Sequence, residues 1–152
     1  MKPYLDNLRQ TPSVWIAYVL LYIPAGFVMN SVGQVTEIAM FANWWQVLTC
    51  YGLYLIPASL LWRHRSWFDQ YLWGLLVLGV LEILGYALGT SIAFTGNILD
   101  SILGERSFAL AMTLFFAGII PLGNFGAARI ASALRSTTEV EADRVRVSLR
   151  QE

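Results

Sequence analysis

The sequence predicts an all-α integral membrane protein: a bundle of four transmembrane helices, both termini cytoplasmic, with a short amphipathic outer-surface helix between the third and fourth. Three observations predict it: too little charge to cover a water-facing surface, four apolar stretches of membrane-crossing length, and basic residues gathered on one side. Of 152 residues only 13% are charged and 57% are hydrophobic, with mean hydropathy +0.55. A soluble domain has about a quarter of its residues charged and roughly half apolar. The balance excludes an ordinary soluble enzyme and a disordered chain. Formal net charge is zero, so no global field attracts phosphate polymers, and nucleic acid is excluded as a partner. The single cysteine, Cys50, excludes an intrachain disulfide framework, a zinc cluster and a CxxC redox site.

A hydrocarbon core of about 30 Å takes about 20 apolar residues to cross as a helix. Stretches of that kind cover 14–34, 38–62, 70–95 and 107–134. Pro24, Pro57 and Pro121 lie inside them, as membrane helices tolerate. A polar leader precedes the first stretch and no clean small-x-small site follows it, which argues against a cleaved signal. No internal repeat is visible.

The connections sort by charge. The leader carries Lys2 and Arg9, the second connection is Arg63-His64-Arg65, and the C-terminal end carries Arg129, Arg135, Arg144, Arg146 and Arg150. The first connection, 33–37, has no base, and the third has only Arg106 beside Asp100 and Glu105. Nine of the ten basic residues then share one side. The positive-inside rule makes that side cytoplasmic, in what is expected to be a bacterial inner (plasma) membrane. Trp15, Trp62, Trp67 and Trp73 fall near the inner boundary and Trp44 and Trp45 near the outer one, as interfacial belts do. His64, between two arginines, reads as part of the inner anchor. Arg129 and Arg135 are expected to snorkel to anionic headgroups, and Glu37 could pair with Arg106 across the outer mouth.

Within 96–104, Ile98 and Leu99 are followed four residues on by Ile102 and Leu103, the pattern of the short amphipathic surface helix. Residues 1–135 form the transmembrane domain. Residues 136–152, rich in alternating acids and arginines, are expected as a charged cytoplasmic tail, flexible or helical only against a partner.

Glu82 is the residue that most needs explaining. It falls about 18 Å of helix rise into the third span, near the bilayer centre. A carboxylate there costs roughly 2.5 kcal/mol or more on insertion scales, met by taking a proton or by hydrogen-bond donors inside the bundle. Its helical face includes Gly79, Gly85, Tyr86 and Gly89, a GxxxG-type face that lets another backbone approach. Asn43, Gln46, Cys50 and Pro57 form a stripe on the second span, and Asn124 follows Pro121 in the fourth. Tyr18, Tyr22, Ala25, Gly26 and Met29 form the packing stripe of the first. The ligand or polar-core candidates are therefore Glu82, Tyr86, Gln46, Asn43 and Asn124 around one interior pocket, with Gly79, Gly85 and Gly89 as packing residues. Nothing near Cys50 marks it as a nucleophile. One histidine in a loop and one central acid cannot assemble a coordination sphere, so neither metal nor cofactor is expected.

Three functions fit. The first is an accessory subunit of a membrane assembly, its Gly-rich face centred on Glu82 meeting other transmembrane helices or a second copy. The second is an enzyme or binding protein for a lipid-like or isoprenoid-like apolar small molecule, with Glu82 as proton donor or polar anchor and Tyr86, Gln46 and Asn124 orienting it. The third is an oligomeric proton-coupled transporter. Membrane lipids are partners in every case. Glu82, Gly85 and Gly89, followed by Leu103-Gly104 and Ile120-Pro121-Leu122, are similar in outline to membrane-bound carotenoid hydratases and related cyclases. The similarity implies an isoprenoid-type ligand. It lacks that family's paired acids and extra helices, so no catalytic residue is carried over from it.

Overall fold

The structure, a computed structural model, describes residues 6–103 and 108–149, without the side chains of Tyr86, Leu103 and residues 138–149. It is mostly helical, and three helices are long and apolar enough to cross a membrane: Pro12–Val35, Trp67–Gly85 and Phe108–Thr137. The first is α1 (Pro12–Val35), begun by a proline whose fixed φ suits the first helical turn. Its buried residues Val14, Ala17, Tyr18, Tyr22 and Gly26 recur every three or four positions, the spacing of one helical face.

The stretch expected as the second span, 38–62, is not one regular helix. Ala39–Phe41 form strand β1, and helical backbone begins only at α2 (Trp44–Leu48). The start is set by a capping box: the Asn43 side chain accepts from the Gln46 N–H at 3.1 Å, and the Asn43 N–H donates to Gln46 Oε1 at 3.0 Å. The helix widens to a π-helix over Thr49–Leu55 and closes again as α3 (Ile56–Trp62). Pro57 accounts for the widening, since it has no N–H and its ring crowds the carbonyl four residues back. The wider turn just ahead of it relieves that crowding, and Ile56 N–H bonds the Tyr51 carbonyl five residues back.

The expected third span, 70–95, also ends early. In α4 (Trp67–Ala87) the last turn is closed by Thr90 N–H on the Gly85 carbonyl at 2.9 Å, with Gly89 at φ +66°. A glycine meets that left-handed turn without a Cβ penalty. Gly89 is thus a helix stop and not a helix-packing residue. Ser91–Ala93 then form β2, antiparallel to β1 in the register Ala39↔Ala93, Met40↔Ile92, Phe41↔Ser91. α1 stops the same way, with Ile38 N–H on the Gly33 carbonyl at 2.9 Å and Glu37 at φ 53°. The two halves of the chain share one plan: helix, left-handed turn, three-residue strand, asparagine-capped helix. Asn43 caps in the first half; in the second, Asn97 accepts from Leu99 and Asp100 N–H. Apart from the two asparagine caps the repeat is one of backbone bonds, so few matching side chains advertise it.

After the cap lies α5 (Ile98–Leu103), with Ile98 and Ile102 exposed. α6 (Phe108–Ala117) and α7 (Ile119–Leu149) follow, broken at Gly118, where Pro121 cannot donate to the Ala117 carbonyl. Residues 136–149, expected as a flexible or partner-ordered tail, continue α7. Helix nucleation is the costly step, and α7 enters this stretch already formed, so each residue adds a bond at little entropic cost. Arg106 lies outside the described residues, and with it the expected pairing to Glu37.

The bundle has two ends, a ribbon end carrying β1–β2 and a turn end carrying Arg63, His64 and Arg65. At the turn end α7 packs against α1, α3 and α4. Trp62 stacks on Trp73 with ring centroids 4.2 Å apart. The N-terminal segment closes this end: Asn7 Nδ2 donates to the Leu61 carbonyl, and Arg63 Nη1 to Gln10 Oε1. Towards the ribbon end the pairing changes. α1 packs on the π-helix and α2, while α4 packs on α6. The break at Gly118 is what redirects the chain, because α6 follows α4 where α7 had followed α1.

Candidate functional site

Where the two helix pairs part, they leave a cavity of about 790 Å³. The β1 residues and Ser91 of β2 roof it, together with Leu99 of α5. Its walls are Met29 and Val32 of α1, Tyr51 and Leu55 of the π-helix, Leu78 and Leu81 of α4, and Met112 of α6. Val32, Leu110, Leu114 and Phe115 border it and are themselves exposed. Its mouth therefore lies on the side where α1 and α6 have no extended packing.

Glu82 lines this cavity and is the only carboxylate among its described lining residues. Among the described side chains none donates a hydrogen bond to it and no cation pairs with it. Cys50 and Tyr51 line the same space, brought there by the π-helix. Asn30, also in the lining, is occupied: its Oδ1 accepts from Phe41 N–H at 2.8 Å, tying α1 to the ribbon.

The other candidates are not gathered around Glu82. Asn43 and Gln46 are spent on each other in the capping box at the ribbon end. Tyr86 has its backbone in α4, but its side chain lies outside the described residues. Asn124 belongs to a second centre at the turn end. Tyr18 donates to its Oδ1, and its Nδ2 donates to Gln70 Oε1 at 2.7 Å and to the Ser59 carbonyl at 3.1 Å. The Tyr22 and Ser59 hydroxyls share a hydrogen bond of 2.5 Å, and Tyr22 reaches the Ile119 carbonyl at 3.2 Å. Gln70 completes the set by donating to the Arg65 carbonyl at 2.9 Å. Asn124 is thus level with Gln70, roughly 18 Å of helix rise along α4 from Glu82.

That second centre was not foreseen as a unit. Tyr18 and Tyr22 were legible as a helix stripe, but Ser59 and Gln70 were not singled out. The available signal was Gly123-Asn124-Phe125-Gly126, an amide between small residues. A Cβ on Gly123 would stand 2.1 Å from Tyr22 Oη, so only glycine lets α7 lie this close to α1. Of the glycines expected to meet another helix, Gly79 faces Thr113 of α6, and Gly85 is buried against Ser91. Both contacts are internal to the chain.

No family model, curated protein or solved structure matches this chain. The outline similarity to carotenoid hydratases therefore has no matching family behind it, and the site's chemistry rests on its lining. Among the described residues no three His, Cys, Asp or Glu side chains converge as a metal site requires. The Glu82 cavity offers an apolar volume with one hydrogen-bond acceptor of high capacity. On the Asn124 amide both Nδ2 hydrogens are donated inside the bundle and Oδ1 accepts from Tyr18.

Proposed function

We propose that the chain crosses a bacterial inner membrane four times, with both termini cytoplasmic, and holds an apolar, lipid-like molecule in the cavity beside Glu82. The fourth crossing is the helical stretch 44–62, whose rise of roughly 28 Å is close to the thickness of a hydrocarbon core. The bases and most tryptophans at the turn end support a cytoplasmic assignment for that end. α5, with Ile98 and Ile102 exposed, then lies on the outer surface.

The observation that carries the ligand reading is the combination of volume and lining. About 790 Å³ is within the range of small-molecule sites, which are mostly apolar with few polar groups. Glu82 supplies the polar group, and its best complement is a hydroxyl or amine at the head of a long apolar molecule. Entry is lateral, from the acyl layer, between α1 and α6. An accessory role through a Gly-rich face centred on Glu82 ranks behind this, because Gly79 and Gly85 are occupied within the chain.

The test is photocrosslinking in proteoliposomes with a diazirine-bearing isoprenoid alcohol. Adducts are expected on Glu82 and on the α6 peptide containing Met112, with a severalfold lower yield in Glu82→Gln. Adducts confined to outward residues such as Leu76 and Phe125, unchanged by Glu82→Gln, would overturn the reading.

A further inference from the structure

The turn end has its own cavity, of about 230 Å³, between α1, α7 and the turn after α3. Arg63, His64 and Arg135 all line it, with Ser132 and the hydroxyl-bearing Tyr18 beside them. Space for it comes from α7, which presents Ala127, Ala128 and Ala131 on that face. No carboxylate lines it among the described residues. Arg9 pairs with Asp6, and neither of them lines this cavity. The Arg63 guanidinium is held by Gln10 Oε1 at 2.7 Å, an uncharged partner that orients the fork and leaves its charge unneutralised.

We propose that this cavity binds a phosphate anion, with Arg63 and Arg135 as its paired cationic contacts and His64 at its rim. Guanidinium groups match phosphate oxygens in a two-bond fork, and charge-assisted bonds of this kind are the strong ones. Basic pockets between transmembrane helices take lipid headgroups by the same chemistry. Arginines that merely snorkel to a membrane surface do not converge on one cavity. Arg129 makes the contrast, since it lies over the Phe125 ring at 4.7 Å and does not line the cavity. The phosphate has two possible sources, an anionic phospholipid of the same leaflet or a soluble phosphate.

The chain has a single histidine, so His64 gives one imidazole signal and is a built-in reporter. The full chain is placed in phosphatidylcholine nanodiscs and titrated with inorganic phosphate, and separately reconstituted with phosphatidylglycerol. The His64 proton signal is expected to shift with at least one probe. A shift with phosphatidylglycerol alone assigns the site to a lipid headgroup, and a saturable shift with inorganic phosphate assigns it to a soluble anion. Arg135→Gln, at an exposed position, is expected to weaken the response about tenfold, the loss of one charge-assisted contact. Arg63→Gln with Arg135→Gln is expected to abolish it, and Arg129→Gln to leave it unchanged. No shift with either probe, or a response that Arg129→Gln lowers as much as Arg135→Gln, would overturn the proposal.

Discussion

Tyr18 on α1 donates its phenolic hydrogen to the side-chain oxygen of Asn124 on α7, 106 residues away. The same asparagine donates to Gln70 on α4 and to the backbone of Ser59 on α3. One amide therefore ties together all the helical segments that meet at the turn end. Among the described residues the ribbon end has no such centre, and the larger of the two cavities lies there.

Removing the amide should loosen the turn end. Hydrogen bonds between membrane helices average about 0.6 kcal/mol each. Asn124→Ala, which loses all of its side-chain bonds, is expected to cost about 2 kcal/mol, and Tyr18→Phe about 0.6 kcal/mol. Reversible unfolding in mixed micelles measures both, and the double variant should be less than additive because the two residues share a bond. Equal costs for the two single changes would contradict the network.

Close approach of α7 to α1 depends on Gly123 in a way that α4–α6 packing does not depend on Gly79. A Cβ at position 123 meets Tyr22 Oη at 2.1 Å, whereas one at 79 meets Thr113 at an ordinary 3.4 Å. Gly123→Ala is expected to destabilise by about 1–3 kcal/mol through overpacking. Gly79→Ala should be neutral or stabilising by up to about 1 kcal/mol through helix propensity. The midpoints of thermal unfolding in detergent should separate the two.

Two equivalent turns, at Glu37 and Gly89, should respond to substitution with opposite sign. Both positions have positive φ, 53° and +66°, a region that costs a residue with a Cβ roughly 1–2 kcal/mol. Glu37→Gly is expected to stabilise by about 0.5 kcal/mol, part of the relief being offset by the greater freedom of glycine when unfolded. Gly89→Ala should cost about 1 kcal/mol. Unfolding midpoints again decide, and a destabilised Glu37→Gly would contradict the turn geometry.

The proposed orientation makes a clean labelling prediction. In a Cys50→Ala background, Ser101→Cys lies on the outer side and Ser136→Cys on the cytoplasmic side. A membrane-impermeant maleimide added to intact spheroplasts should modify the first and reach the second only after permeabilisation. The reverse pattern would invert the topology, and labelling of both from outside would remove the even number of crossings.

The bundle was legible in the sequence wherever the bilayer dictates composition. Long apolar runs with few charges can be little else, and the buried face of α1 followed from Tyr18, Tyr22 and Gly26. β1 and β2 were hidden because each is three residues inside an apolar run, and the partner that makes it a strand lies in the other half of the chain. Glu82 was legible as an isolated acid, and Cys50 as a member of a stripe on the neighbouring stretch. Asn124 lies on a different helix from either, and counting rise along a separate helix fixes neither its level nor its azimuth relative to them. Gln70, the partner that fixes its level, carries no pattern that distinguishes it from any polar residue at a helix start.

The most direct measurement of the central claim is native mass spectrometry of the chain released from the gentlest detergent that keeps it folded. Wild type is expected to carry an apolar molecule of defined mass. The adduct should be reduced severalfold in Glu82→Gln and lost in Ala111→Trp, which fills the cavity, while Leu76→Trp on the outward face of α4 should retain it. A wild-type spectrum with no bound molecule, or an adduct equally abundant in Ala111→Trp and Leu76→Trp, would contradict the account.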